Sequence, residues 1–256
     1  MMTKTNNICE IYEMRIDNMS ENQTQKNINA EMLGTDYEAP YGSGNISRPD
    51  VSPAVVKRLP RYFRYLRVLI RQGKMRVSSA ELSQMMNLTA SQIRQDLNCF
   101  GGFGQQGYGY NVNYLYSKIC EILGVSCGFR AALVGAGNLG TALAKSPMFA
   151  KRGVDVVAIF DVNEDIIGKN VAGIDVYGMD KLESKLNEYG VHIVILTLPK
   201  EHAEDVMQRL QNTQVRGVWN FTGKDLGIDY GGIVIEDVHI GDSLMALCYE
   251  IAKELD

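Results

Sequence analysis

From Ser52 onward the apolar positions fall at helical spacing. At about 100° per residue, Leu59, Tyr62, Phe63, Leu66, Leu69 and Ile70 gather on one arc, and Arg61, Arg64, Arg67 and Arg71 take the opposite one. Pro60 suits a first turn or a kink, so the pattern predicts a short turn followed by a helix over 60–72 that ends at Gly73. The stretch Ser78–Met86 opens with a serine cap and predicts a helix of about eight residues. Asn87-Leu88-Thr89 interrupts it. A second helix over Ala90–Cys99 carries Ile93 and Leu97 inward, which turns Gln92, Arg94, Gln95 and Asp96 toward solvent or a ligand. Two short helices joined by a tight turn behind a basic helix form a helix-turn-helix. The run Phe100 to Tyr110 interleaves five glycines with aromatics, which excludes a helix and suits a β-hairpin wing.

Past a connecting helix over 113–123 the period changes. Apolar runs at Ala131–Val134, Val154–Phe160, Val191–Leu198, Val215–Trp219 and Ile233–Ile235 alternate with helical patterns at 138–150, 180–189 and 200–212. Such alternation predicts an α/β unit with a doubly wound, mostly parallel sheet. On the terminal helix, Leu244, Leu247, Cys248 and Ile251 make an apolar stripe that covers its own sheet edge or docks on a second subunit. Residues 1–46 are polar, without sustained period, and end in a Pro40, Gly42, Gly44 stretch. The expected division is therefore a disordered leader at 1–46, a winged helix-turn-helix at 47–112, a connecting helix and linker at 113–130, a Rossmann-like domain at 131–240 and a C-terminal helix at 241–256.

Charge sharpens this division. The 256-residue chain has a net charge of −4, which taken whole argues against a nucleic-acid partner. Residues 47–110, however, hold 10 basic and 3 acidic side chains, while residues 111–256 hold 13 and 20. An acidic protein thus carries one basic module. No run approaches 18 apolar residues, and the first 30 positions lack a secretory h-region, so a cytoplasmic protein without a membrane partner is expected. Five scattered cysteines without metal spacing point to reduced thiols and no metal.

Gly135-Ala136-Gly137-Asn138-Leu139-Gly140 follows a strand and opens a helix, the context a G-x-G-x-x-G motif requires. The glycines allow the tight turn, the approach of backbone to pyrophosphate, and close packing of helix on sheet. The helix N-terminus offers amides and partial positive charge to phosphates. Asp161, 21 positions past Gly140, ends the second strand where a carboxylate bonds the ribose hydroxyl, and its charge favours NAD(H) over NADP(H). In the basic module, Arg61, Arg64, Arg67, Arg71, Lys74 and Arg76 suit phosphates. Gln92, Arg94 and Gln95 suit base edges, since arginine pairs with guanine and glutamine with adenine.

The 126 residues from Ala131 to Asp256 suffice for a nucleotide fold and little else. His192 falls in an apolar run, His202 on a helix, and His239 beyond the last strand without an identifiable companion, so no catalytic residue is assigned. A DNA-binding module joined to a dinucleotide module implies a linkage switch rather than an enzyme. The alternative is a small NAD-dependent oxidoreductase with an accessory DNA- or protein-binding domain.

From about Val51 to the C-terminus the chain resembles the Rex family of redox-sensing transcriptional repressors. The resemblance rests on Arg58-Leu59-Pro60-x-Tyr62-x-Arg64-Tyr65-Leu66, Val77-Ser78-Ser79-x-Glu81-Leu82, Gln92 to Leu97, Phe100-Gly101, Gly107-x-Gly109-Tyr110 and Trp219-Asn220-Phe221. It implies a homodimer with winged-helix domains on double-stranded, palindromic operator DNA, Rossmann-like domains, and a terminal helix exchanged between subunits. It also implies that NADH favours release from DNA while NAD+ permits binding, with genes of fermentative and anaerobic metabolism as targets. The expected DNA contacts then include Arg58, Ser79, Ser91, Gln105, Gln106 and Tyr108, and the expected NADH and NAD+ contacts include Ser146, Thr197, Pro199 and His239. Many members are basic where this chain has Gln95, Gln105 and Gln106, and some carry Tyr and Asp where it has Ser146 and His239. The Ser146 and His239 neighbourhoods are expected to respond to the nicotinamide with altered polarity and pH dependence.

Overall fold

The structure, a computed structural model, describes residues 51–99, 104–105, 108–125, 127–227 and 230–255. The leader expected at 1–46, the wing tip and Gln106 lie outside the described residues. The described residues divide into two compact units, one ending at Cys127 and one beginning at Gly128.

The first unit is built on α1, Pro53–Arg71. The sequence pattern placed its start at Pro60, but the helix runs through that residue. Pro60 and Val56 both face solvent, so the carbonyl that loses its partner to the proline ring is on the side where water can bond it. Val55, Leu59, Tyr62, Phe63, Leu66 and Leu69 are buried. A short strand β1, Arg76–Val77, leads to α2, Ser79–Met86, which Ser78 and Glu81 close with a reciprocal capping box. Asn87, left-handed at φ 49°, turns the chain, and Thr89 caps α3, Ala90–Asn98. The strands β2, Gly104–Gln105, and β3, Gly109–Asn111, pair antiparallel, and β3 also pairs with β1. A Cβ on Gly109 would lie 2.7 Å from the Val77 carbonyl oxygen, so only glycine lets the wing lie on β1. The segment read as a connector is α4, Val112–Leu123. Its Leu115, Tyr116, Ile119 and Cys120 complete the core of this unit, and Tyr116 stacks on Phe63 at 5.2 Å between centroids.

The second unit holds a seven-stranded sheet. In chain order its elements are β4 (Phe129–Val134), α5 (Asn138–Ala144), β5 (Val154–Asp161), β6 (Asn170–Val171), β7 (Ile174–Gly178), α6 (Leu182–Glu188), β8 (Ile193–Leu196), α7 (Ala203–Leu210), β9 (Gly217–Asn220), β10 (Val234–Asp237) and α8 (Ile240–Leu255). The strand order is β10-β9-β8-β4-β5-β7-β6, parallel throughout except for β6. Leaving out β6, this is the doubly wound Rossmann order, with its reversal between β4 and β8. The helix expected to reach 150 stops at Ala144, because Pro147 disfavours helical backbone at Ser146. The hairpin β6–β7 escaped the sequence reading. Its two central residues, Ala172 and Gly173, have φ 54° and 88°, but the alanine hides the Asn-Gly signature of such a turn. Helix α8 keeps every one of its described side chains exposed, among them Leu244, Leu247 and Ile251. It therefore does not cover its own sheet, the first of the two roles open to its stripe.

Candidate nucleic-acid interface and nucleotide turn

In the first unit the sequence-selected polar residues fall into two groups. Asp96, expected to face solvent, is instead fully buried. Its carboxylate accepts two bonds from the Arg58 guanidinium, at 2.8 and 2.7 Å, one from the Tyr62 hydroxyl at 2.9 Å and one from the Gln92 amide at 2.9 Å. A helical-wheel reading assigns charge outward, and here four satisfied bonds override it. Burial pushes the Asp96 carboxyl up, but the bonds from Arg58, Gln92 and Tyr62 outweigh it and hold the group below the usual carboxylate range. Burial and the bond to Asp96 push the Tyr62 phenol far up. Arg61 donates to the Met86 carbonyl at the end of α2.

The second group is outward. Ser91, Arg94, Gln95 and Asn98 are all exposed along α3, at the i, i+3, i+4, i+7 spacing of one helix face. Arg94 reaches Ser79 at the start of α2, Nη1 to Oγ 3.2 Å. Arg64 is exposed on α1. Arg76 bonds the Tyr108 carbonyl at 3.2 Å and lies 5.9 Å over its exposed ring. Gln105 sits on β2, and its side chain lies outside the described residues.

In the second unit the carboxyl ends of β4, β5 and β8 bring Gly135, Asp161 and Thr197 together. Gly135 has φ 101°, and a Cβ there would lie 2.8 Å from the Thr197 carbonyl oxygen. A Cβ on Gly140 would lie 1.9 Å from the Gly135 carbonyl oxygen, so α5 packs directly on the turn. At Gly137 a Cβ would meet nothing within 4 Å. Gly137, Asn138 and Leu139 are exposed, while Ala136 is half-buried. The Asp161 carboxylate accepts the Ala136 amide at 2.5 Å and the Asn163 amide at 2.8 Å. The Thr197 hydroxyl donates to the Gly135 carbonyl at 2.7 Å. Pro199 opens the turn that precedes α7.

Ser146 lies just past α5 and accepts the Met148 amide at 3.3 Å. His239, between β10 and α8, pairs with Asp225 at 2.9 Å, a partner the sequence did not suggest. His192 accepts the Arg130 amide through Nδ1 at 3.2 Å, and burial, then the Arg130 charge, lowers its pKa. The sequence also missed a satisfied polar cluster at the end of β9. Buried Asn220 donates to the Lys224 carbonyl at 2.7 Å and Asp237 at 2.6 Å, and accepts from the Thr222 hydroxyl at 2.7 Å. Among the described residues no group of His, Cys, Asp and Glu could hold a metal ion, and no helix is long and apolar enough to cross a membrane.

Known proteins carry the same two units. Residues 50–98 match the family model described as "Putative DNA-binding protein N-terminus", and residues 129–223 match that described as "CoA binding domain". The redox-sensing transcriptional repressor Rex of Caldicellulosiruptor saccharolyticus is 44% identical over 208 residues, covering 81% of this chain and 94% of that one. The solved structure of RSP with β-NAD+ and operator DNA is 43% identical, with a TM-score of 0.75 over 80% of this chain and 94% of that one. The structure of RSP with β-NADH is 40% identical, with a TM-score of 0.74 over 80% and 96%.

Proposed function

This chain belongs to the Rex family of redox-sensing transcriptional repressors, and on that premise we propose that it holds operator DNA through its winged helix-turn-helix and releases it when NADH binds the Rossmann-like unit. The observation that carries the nucleotide half is the contrast among three glycines. Gly135 and Gly140 are closed in by backbone, whereas Gly137 borders open space. That is the arrangement a pyrophosphate needs, with backbone amides at hand and no Cβ in the way.

The NAD(H) set comprises the turn Gly135 to Gly140, with Asp161 toward the ribose and Thr197 and Pro199 beside the turn. Ser146 and His239 are assigned to the nicotinamide side. Bound nucleotide supplies a redox-dependent charge, positive on the oxidised nicotinamide and absent from the reduced one. A protein reads that charge only by having different affinities for the two forms in its DNA-bound and released states.

On the DNA side, Arg64 and its neighbours on α1 neutralise phosphates, α3 lies in the major groove and the wing with Gln105, Gln106 and Tyr108 follows the backbone. Two copies, joined through the exposed apolar stripe of α8, match a palindromic operator. In this reading DNA binding belongs to 47–112, NAD(H) binding to 131–240 and dimerisation to the helix at 241–256. The protein acts in the cytoplasm on genes of fermentative and anaerobic metabolism. The relatives are named repressors, which supports this reading over the oxidoreductase alternative.

Titration of a palindromic promoter duplex at fixed salt tests it. Binding is expected with NAD+ and lost with NADH at unchanged NADH absorbance. Turnover of NADH with no effect on DNA would refute the reading.

A further inference from the structure

Gln92 is one of the three residues that the sequence assigns to base edges, yet its amide is already committed to Asp96 at 2.9 Å. The same carboxylate holds both prongs of Arg58 and the Tyr62 hydroxyl. Asp96 is thereby tied to two successive turns of α1 and one turn of its own helix. These bonds fix the rotation of α3 about its axis and engage the polar ends of Gln92 and Arg58, both of them half-buried. The row left outward is Ser91, Arg94, Gln95 and Asn98, each of them exposed.

We infer that Asp96 is a positioning residue that sets the rotation of α3, and that bases are read by the outward row with Asn98 as a specificity-determining residue and Gln92 excluded. Asn98 carries the amide that pairs bidentately with adenine N6 and N7. It lies one turn past Arg94, whose guanidinium suits a guanine, so the two side chains sample base pairs a step or more apart. Arg94 is steadied from behind by Ser79 at 3.2 Å. This inference rests on the operator-binding reading above. It differs from that reading in naming which face of α3 meets the bases.

The test uses the full chain and an operator duplex substituted at each base pair in turn, with a random duplex as reference. For Asn98→Ala, binding is expected to become indifferent to substitution at one base pair, where the wild-type chain loses about tenfold. Gln92→Ala is expected to keep the wild-type preference at every base pair. Asp96→Asn, checked for retained fold by circular dichroism, is expected to lose about tenfold in operator affinity while random-duplex affinity stays within about threefold, because phosphate contacts survive a misaimed helix. A Gln92→Ala chain that loses preference at one base pair, or an Asn98→Ala chain that keeps it everywhere, overturns the inference. Equal loss on both duplexes for Asp96→Asn would show a structural role only and overturn the positioning claim. If the wild-type chain preferred no duplex, the operator-binding reading itself would fail, which separates the two failures.

Discussion

Arg58 on α1 and Asp96 on α3, 38 positions apart in the chain, meet in a two-pronged ion pair at 2.8 and 2.7 Å with the carboxylate fully buried. Removing Arg58 leaves the buried carboxylate uncompensated, which costs about 3–5 kcal/mol. Arg58→Ala is expected to destabilise the chain by about that much in urea unfolding, and Tyr62→Phe by about 1–2 kcal/mol.

The same site sets an acid limit. The folded Asp96 carboxyl lies below its ordinary value, so its contribution is complete above the unfolded-chain value of about 4 and is lost as pH falls through the folded one. Glu81 behaves alike. Its bonds from Lys74 and from the Ser78 amide and hydroxyl lower it to about 2, and its exposure makes its share small. Melting temperature is expected to fall as pH drops below about 4. Asp96→Asn should flatten that fall, as read by calorimetry.

Ser78 caps α2 through the Glu81 amide at 3.1 Å. Ser78→Ala is expected to lower stability by about 1 kcal/mol. No change in the urea midpoint would show that the cap is dispensable.

The glycines of the nucleotide turn separate binding from folding. Gly137→Ala places a methyl in open space, so the melting temperature should hold while NADH affinity drops at least about tenfold. Gly140→Ala places it 1.9 Å from a backbone oxygen, and the fold itself should weaken. Calorimetry paired with NADH titration distinguishes the two.

Ala172 holds φ 54° in the β6–β7 turn. An L-residue in that region costs about 1 kcal/mol that glycine avoids. Ala172→Gly should therefore raise stability by several tenths of a kcal/mol, after the extra freedom glycine gives the unfolded chain.

Much of this architecture was legible because its signals are local. The period of Leu59 to Ile70, the Ser78 cap and the glycine spacing after β4 each depend on a few neighbouring residues, and each led to the right element. Pro60 misled because a proline reads as a boundary, whereas a solvent-facing carbonyl tolerates it within a helix. Asp96 misled because a charge on a helix reads as surface. Only contact with α1 reveals three donors waiting for it. Asp225, the partner of His239, lies 14 positions away on the far side of β10, with no period to link the two.

In a redox-sensing repressor of this kind, nucleotide and DNA oppose one another through one protein. Linkage requires the opposition to be reciprocal. The decisive measurement is a closed cycle on the wild-type chain at one ionic strength, taking operator affinity with and without saturating NADH, and NADH affinity with and without saturating operator. Both affinities are expected to fall by the same factor, and Gly137→Ala is expected to abolish the NADH effect on DNA while leaving operator binding intact. An operator affinity indifferent to NADH in the wild-type chain would contradict this opposition.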